Sequence, residues 1–428
     1  MCPLHTTDKL MRAEQVLTYI NDGDDLIVPL SNGEPPTLLD TLEAHASRLK
    51  NVRIHQANPR QDRAYIRGEY AGHLRHVAYF LSPASREAYN AGLCDLMPND
   101  FHRTPRILLE QTRASLVLAA AAPPDAEGYF SLGTNGDYAA ALIGKVPFFL
   151  EVRPTMPHTY GQNRIHMSQI EGYIVSDTPN LVVPAGTFTD KDRQIAAHVI
   201  EHIPDGSTLQ VGIGNIPSAI INELKAKKHL GIHTELLTDG IVDLVAAGAI
   251  DGSMKKTHRG KIVGTFALGT QKLYDFIDEN PDVHILPVDA VNDPRIIGQE
   301  DHIVAINATT AVDFYGQCAS ETINGNYYYS SSGGQADFAR GAAFATAGKS
   351  FICLHSTTKD GKTSKITPHL APGSVVTTSK NDVHFIATEY GAVDLRGKTV
   401  RERAKRLISI AHPKFREELT FAAKKMGL

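Results

Sequence analysis

What most constrains this 428-residue chain is a pattern of elements that occurs twice. Near the N-terminus a helical pattern over Lys9 to Ile20 leads to Asp22-Gly23 and a strand-like run at Leu26-Ile27-Val28. A turn with Gly33 and Pro35 follows, then a helix from Thr37 and a strand containing Ile54-His55. In the second half Lys191 to Ile203 is helical, with Asp205-Gly206 and a strand at Leu209-Gln210-Val211 behind it. Again there is a turn (Gly212, Gly214, Pro217), a helix from Ser218 and a strand containing Ile232-His233. Identities are sparse, but the order of elements and most spacings agree. Helices, strands and Gly-Pro turns are common individually; their shared order is what points to duplication. An α/β chain follows, with two tandem related lobes, each a mostly parallel sheet flanked by helices. The division falls near Val183-Pro184 and gives lobes over 1–183 and 184–428. Two amphipathic helices, Val400 to Ala411 and Lys414 to Lys425, close the second lobe and are separated by His412-Pro413.

Bulk properties remove whole classes of function. A formal charge of -4 argues against a chain whose main partner is a nucleic-acid backbone, which would need a basic face. Cys2, Cys94, Cys318 and Cys353 are far apart and form no C-x-x-C pair, which fits neither a disulfide framework nor a zinc knuckle and suits a reducing compartment. The first residues carry no apolar signal-like segment, and the most apolar stretch, Ala114 to Ala122, is too short to span a bilayer. The cytoplasm is the expected location.

Three segments carry chemistry. The run Gly212-Ile213-Gly214-Asn215-Ile216-Pro217 joins a strand to a helix. Its glycines let a ligand approach the backbone, and the helix N-terminus offers unpaired N–H groups to an anion or oxyanion. Pro217 suits the first helical turn. A Rossmann reading of the same turn wants a third glycine where Pro217 stands, although Glu235 has the right spacing for its acidic residue. The second segment is Gly231-Ile232-His233-Thr234-Glu235-Leu236-Leu237, a carboxylate inside an apolar strand. Such a group is either functional or satisfied by neighbouring N–H groups, and this segment alone supports both. The third is Ser332-Gly333-Gly334-Gln335-Ala336-Asp337-Phe338, a glycine pair entering a helix and a second source of backbone donors.

With these segments stand Pro123-Pro124-Asp125-Ala126-Glu127-Gly128-Tyr129, Glu151-Val152-Arg153-Pro154, Val312-Asp313-Phe314-Tyr315-Gly316-Gln317 and Thr388-Glu389-Tyr390-Gly391-Ala392-Val393-Asp394-Leu395-Arg396-Gly397. Together, in order and over nearly the whole chain, they resemble the acetyl-CoA hydrolase/transferase family, and within it the 4-hydroxybutyrate CoA-transferases. The resemblance implies the CoA-transferase fold and a ping-pong exchange of CoA between two carboxylic acids, with Glu235 as nucleophile. It implies an oxyanion and CoA-binding set of Gly212, Ile213, Gly214, Asn215, Gly333 and Gly334, and a pocket that includes Asn292 and Glu389. Arg153 stands where the family often has Asn. There it would read a second substrate carboxylate, as in succinate or itaconate, or form a structural ion pair with Glu151.

The chemistry agrees with that resemblance. A glutamate with a pKa of about 4.3 is ionised at neutral pH and needs no activating base. It would attack an acyl-CoA, pass through a mixed anhydride and become a glutamyl-CoA thioester. Each stage forms an oxyanion, so fixed N–H donors are the main device, at about 3 kcal/mol apiece. No cofactor beyond coenzyme A as substrate, and no metal, is called for. The expected partners are acyl-CoA (acetyl-, butyryl- or succinyl-CoA) and small acids such as 4-hydroxybutyrate or butyrate. Nucleic acid and membrane are not expected, and a homo-oligomer is compatible with the chain. The alternatives are an acyl-CoA hydrolase on the same scaffold, and a CoA- or dinucleotide-binding protein without turnover. Lys362 and Lys365 read as a solvated loop, and Cys318 as a buried inert thiol.

Overall fold

The computed structural model describes residues 9–184 and 186–428, so Cys2 lies outside the described residues. The chain divides into two compact units, 1–184 with 263–291, and 185–262 with 292–428. Residues 263–291 therefore depart from the simple division at 183/184. Hydrogen bonds within the first unit explain why. The amides of Gly136 and Asp137 donate to the Thr265 carbonyl, and Val183 N–H donates to that of Gly269. The strand Val283–Ile285 also pairs with Tyr160–Gly161.

The first unit is built on a seven-stranded sheet in the order Ile170–Val175, Phe148–Val152, Ala114–Ala121, Asp25–Ile27, Val52–Ala57, Leu74–Phe80, Asp95–Leu96. All of its ladders are parallel. Its central strands are largely buried on both faces, as in a sheet covered on both sides, and Val16, Leu38, Leu42, Ile54, Leu116 and Phe149 pack in its core.

In the second unit the strands run Phe385–Thr388, Lys349–Cys353, Ile303–Ala308, Thr208–Val211, Gly231–His233, all parallel, with Gly391–Asp394 turning back antiparallel at the edge. Helix Asp190–Ile200 opens with a capping box of Thr189 and Asp192, and Val400–Ser409 opens with one of Thr399 and Glu402. The last helix, Pro413–Lys425, is capped by His412. Val312, Phe314, Ile352, Leu354, Leu407 and Leu419 fill the core beneath these two C-terminal helices. Each unit repeats strand, turn, helix, strand: Asp25–Ile27, Pro36–Ala44, Val52–Ala57 in one and Thr208–Val211, Asn215–Glu223, Gly231–His233 in the other. Among the described residues no helix is long and apolar enough to cross a membrane.

Candidate active site

In a parallel sheet the ends of neighbouring strands come out on one edge, and ligands bind beyond the carboxyl ends. Thr208–Val211 and Gly231–His233 are such neighbours, with Thr208 opposite Gly231 and Leu209 opposite Ile232. The turn from Gly212 leaves the first and Glu235 lies just past the second. Glu235 is not in the strand, which ends at His233, and a bend carries the carboxylate. Thr234 makes the difference. Its hydroxyl accepts the Val211 N–H at 3.1 Å, so a side chain replaces the carbonyl a continued ladder would have supplied.

Glu235 meets two fixed donors. Nδ2 of Asn292 donates to its Oε2 at 2.8 Å, and the Gly334 N–H also hydrogen-bonds the carboxylate. Asn292 is fully buried. It precedes Asp293, whose side chain caps the short helix Pro294–Ile297 by accepting the Arg295 N–H. Ile297 in turn lies where Gly341 of the helix Gln335–Phe344 has no side chain, and Gly334 is the N-cap of that helix. One helix packing thus sets both donors. The glycine pair serves two purposes: Gly333 adopts φ +51°, whereas Gly334 has ordinary torsions but no room, since a Cβ would overlap Oε2 of Glu235 and Nδ2 of Asn292.

Burial pushes the Glu235 carboxyl up to about 7, and the buried Asp337 adds repulsion, while Asn292 and the Gly334 N–H pull the other way. The ordinary, fully ionised glutamate expected from sequence is therefore corrected to one poised near neutrality. Asp337 itself was not singled out as a site residue, although it stands three positions after Gly334 in the quoted motif.

The first glycine turn is placed differently from the second. Gly212 cannot serve as an oxyanion donor, because its N–H is committed to the Ile306 carbonyl at 2.8 Å. Its place is steric, with a Cβ falling 2.9 Å from Oδ1 of Asn307. Gly214, at φ +130°, is the N-cap of Asn215–Glu223, so the helix starts three residues before Ser218 with Pro217 in its first turn. Ile213, Gly214 and Asn215 are exposed.

Glu389 lies past the strand Phe385–Thr388 and has partners of its own. It accepts the Ser356 N–H at 2.9 Å and hydroxyl at 2.8 Å, and Lys191 pairs with it at 3.3 Å. Burial alone would raise this carboxyl, but these groups outweigh it and hold it below the usual range. Lys191 and Ser356 had no motif to mark them. Lys365, read as solvated, is half-buried with its amine lowered by burial, while Lys362 is exposed. The Asp313 to Gln317 motif is a self-contained turn, in which Asp313 accepts the N–H groups of Tyr315 and Gln317 and the Gln317 side chain. Burial raises the Cys318 thiol well beyond physiological pH, which keeps it inert.

Arg153 belongs to the first unit and is buried. It does not form the ion pair with Glu151, whose carboxylate is occupied by Thr37 and Leu38. Its Nη2 donates to the Asn32 carbonyl, Nε has no partner among the described residues, and burial lowers the guanidinium to about 10. Arg153→Asn should therefore lower thermal stability by about 1–3 kcal/mol, through the orphaned carbonyl and lost packing. Turnover at saturating acid should fall equally for mono- and dicarboxylic acids; a loss confined to dicarboxylic acids in a steady-state panel would contradict this.

Known proteins match this chain over nearly its whole length. Residues 5–185 match the acetyl-CoA hydrolase/transferase N-terminal domain, and residues 269–423 match the C-terminal domain of the same family. The succinyl-CoA:cyclohexane-1-carboxylate CoA transferase of Geobacter metallireducens is 43% identical over 98% of this chain and 96% of its own. The 4-hydroxybutyrate coenzyme A transferase of Clostridium kluyveri is 39% identical over 98% of both chains. The crystal structure of RipA from Yersinia pestis superposes with a TM-score of 0.92 at 35% identity, covering 98% of each chain. Full-length identity at this level, both family domains in order and the shared fold make this chain a member of the acetyl-CoA hydrolase/transferase family of enzymes.

Proposed function

We propose that this enzyme transfers CoA from an acyl-CoA to a short-chain carboxylic acid by a ping-pong mechanism through a glutamyl-CoA thioester on Glu235. The observation that carries this reading is a half-buried carboxylate held by two rigid donors, the Gly334 N–H and Asn292 Nδ2, with no cation paired to it among the described residues. A structural glutamate is normally neutralised by a partner. This one is kept reactive.

The steps follow from the groups in place. The Glu235 carboxylate oxygen attacks the thioester carbonyl, the C–O bond forms, and the C–S bond breaks with its electrons leaving on the CoA thiolate. The product is a mixed anhydride. The thiolate then attacks the Glu235 carbonyl carbon, and cleavage of the anhydride C–O bond releases the first acid as its carboxylate. In this second step the charge develops on the Glu235 carboxyl group that Gly334 and Asn292 already hold, so the donors are in place beforehand. The exposed N–H groups of Ile213 and Gly214 serve the oxyanion of the first step. The second acid reverses the sequence. Oδ1 of Asn292 is buried and unpartnered among the described residues, which leaves an acceptor for a ligand N–H or O–H. The acids we propose are 4-hydroxybutyrate, butyrate or a dicarboxylate such as succinate or itaconate, with no cofactor beyond CoA itself.

The test is whether acyl-CoA consumption requires a free acid. Consumption that is strictly acid-dependent supports transfer; equal consumption without acid means hydrolysis, and none means a binder. A pH dependence also follows. Only ionised Glu235 attacks, and its pKa stands at about 7. The single-turnover rate with acyl-CoA should be level above that pH and fall about tenfold per unit below it. A limb near the ordinary glutamate value would mean that the carboxylate is solvated in the working enzyme.

A further inference from the structure

Lys255 is 2% exposed, and no carboxylate lies within ion-pair distance of it among the described residues. Its ammonium instead donates to two backbone carbonyls, Ile232 and Lys261, at 2.8 Å each. Burial lowers the amine to about 8. Glu300 attracts it from a distance, but the Glu300 oxygens are taken by Thr208, the Lys256 N–H and the N–H and hydroxyl of Thr257. A buried cation satisfied only by carbonyls is a costly way to fill a core. What it holds gives the reason.

Ile232 is the middle residue of the three-residue strand Gly231–His233, and Glu235 stands three positions further on. On one side this strand is tied to Thr208–Val211 by two register pairs and by the Thr234 hydroxyl. Lys255 supplies a tie of its own at the Ile232 carbonyl. Its stem lies on Gly231, where a Cβ would come 2.8 Å from Lys255 Cδ and still closer to Cγ. Gly231 thus makes room for the lysine that grips the next residue. We propose that Lys255 is a positioning residue, which fixes the strand so that the Glu235 carboxylate meets Asn292 and Gly334. This inference rests on the reading of Glu235 as the nucleophile.

The test uses two variants. Lys255→Met keeps the stem and removes the donors; Gly231→Ala leaves the ammonium but pushes the stem aside. Each is measured for melting temperature, kcat, KM and the acid limb of the single-turnover rate. A displaced Glu235 loses donors that favour its ionised form, while Asp337, whose charge also acts on it, is untouched in both variants. The acid limb should move to higher pH, and kcat should fall by about tenfold or more with KM changed less than about twofold. Gly231→Ala should show the same direction with a smaller size. A lower melting temperature with kcat and acid limb unchanged in both variants would make Lys255 purely structural and overturn the proposal. A wild-type enzyme that forms no CoA thioester would instead overturn the reading beneath it, whatever the variants do.

Discussion

Glu235→Ala should abolish exchange, lowering turnover by at least about 10⁴-fold, because the proposed covalent route runs through this carboxylate. The fold should survive, since Glu235 occupies a bend after the strand rather than a ladder position. Removing a half-buried carboxyl that is both desolvated and repelled by Asp337 should leave the protein as stable or slightly more so. Glu235→Asp is the finer instrument. It keeps the charge but shortens the arm by one methylene, which draws the nucleophile away from the Gly334 and Asn292 donors. A loss of about 10²-fold is expected, mostly in kcat. Stopped-flow assays with purified variants, alongside melting curves, decide the matter. Residual turnover in the alanine variant within tenfold of wild type would remove Glu235 from catalysis.

Gly334→Val should lower kcat by about 10²–10³-fold. A Cβ at this position cannot coexist with Oε2 of Glu235 and Nδ2 of Asn292, so either the carboxylate or the backbone donor must move. Gly333→Ala tests a different demand, because that position holds a positive φ and a side chain there should strain the turn. If valine at 334 turns over near the wild-type rate with its fold intact, the Gly334 N–H is not an oxyanion donor.

Much of this was legible in the chain. The duplicated order of helix, strand, Gly-Pro turn, helix and strand reports two parallel sheets, because parallel strands need crossovers and crossovers impose that spacing. Glu235, Asn292 and Gly334 were all named from motifs, and the structure brings those three into contact. Other features were hidden for definite reasons. Glu235 reads as strand because apolar residues flank it on both sides, and only the Thr234 hydroxyl on Val211 shows why the ladder stops. Gly212 and Gly214 look equivalent in sequence, yet one N–H belongs to the sheet and the other residue caps a helix. Arg153 could not be placed, because which carbonyl a buried guanidinium meets depends on contacts far apart in the chain. Lys191, Ser356 and Lys255 carry no motif at all, since their positions are set by tertiary packing alone. The elevated pKa of Glu235 comes from burial and from Asp337, and neither is a property of the segment that contains it.

The central claim is that CoA becomes bonded to Glu235, and intact mass measurement tests it most directly. Wild-type enzyme incubated with acyl-CoA and no acceptor acid should gain the mass of one CoA per chain. Borohydride should then convert the modified residue to an alcohol, and peptide mapping should place it at Glu235. No gain in mass, or a modification mapped to another carboxylate such as Glu389, would contradict the account.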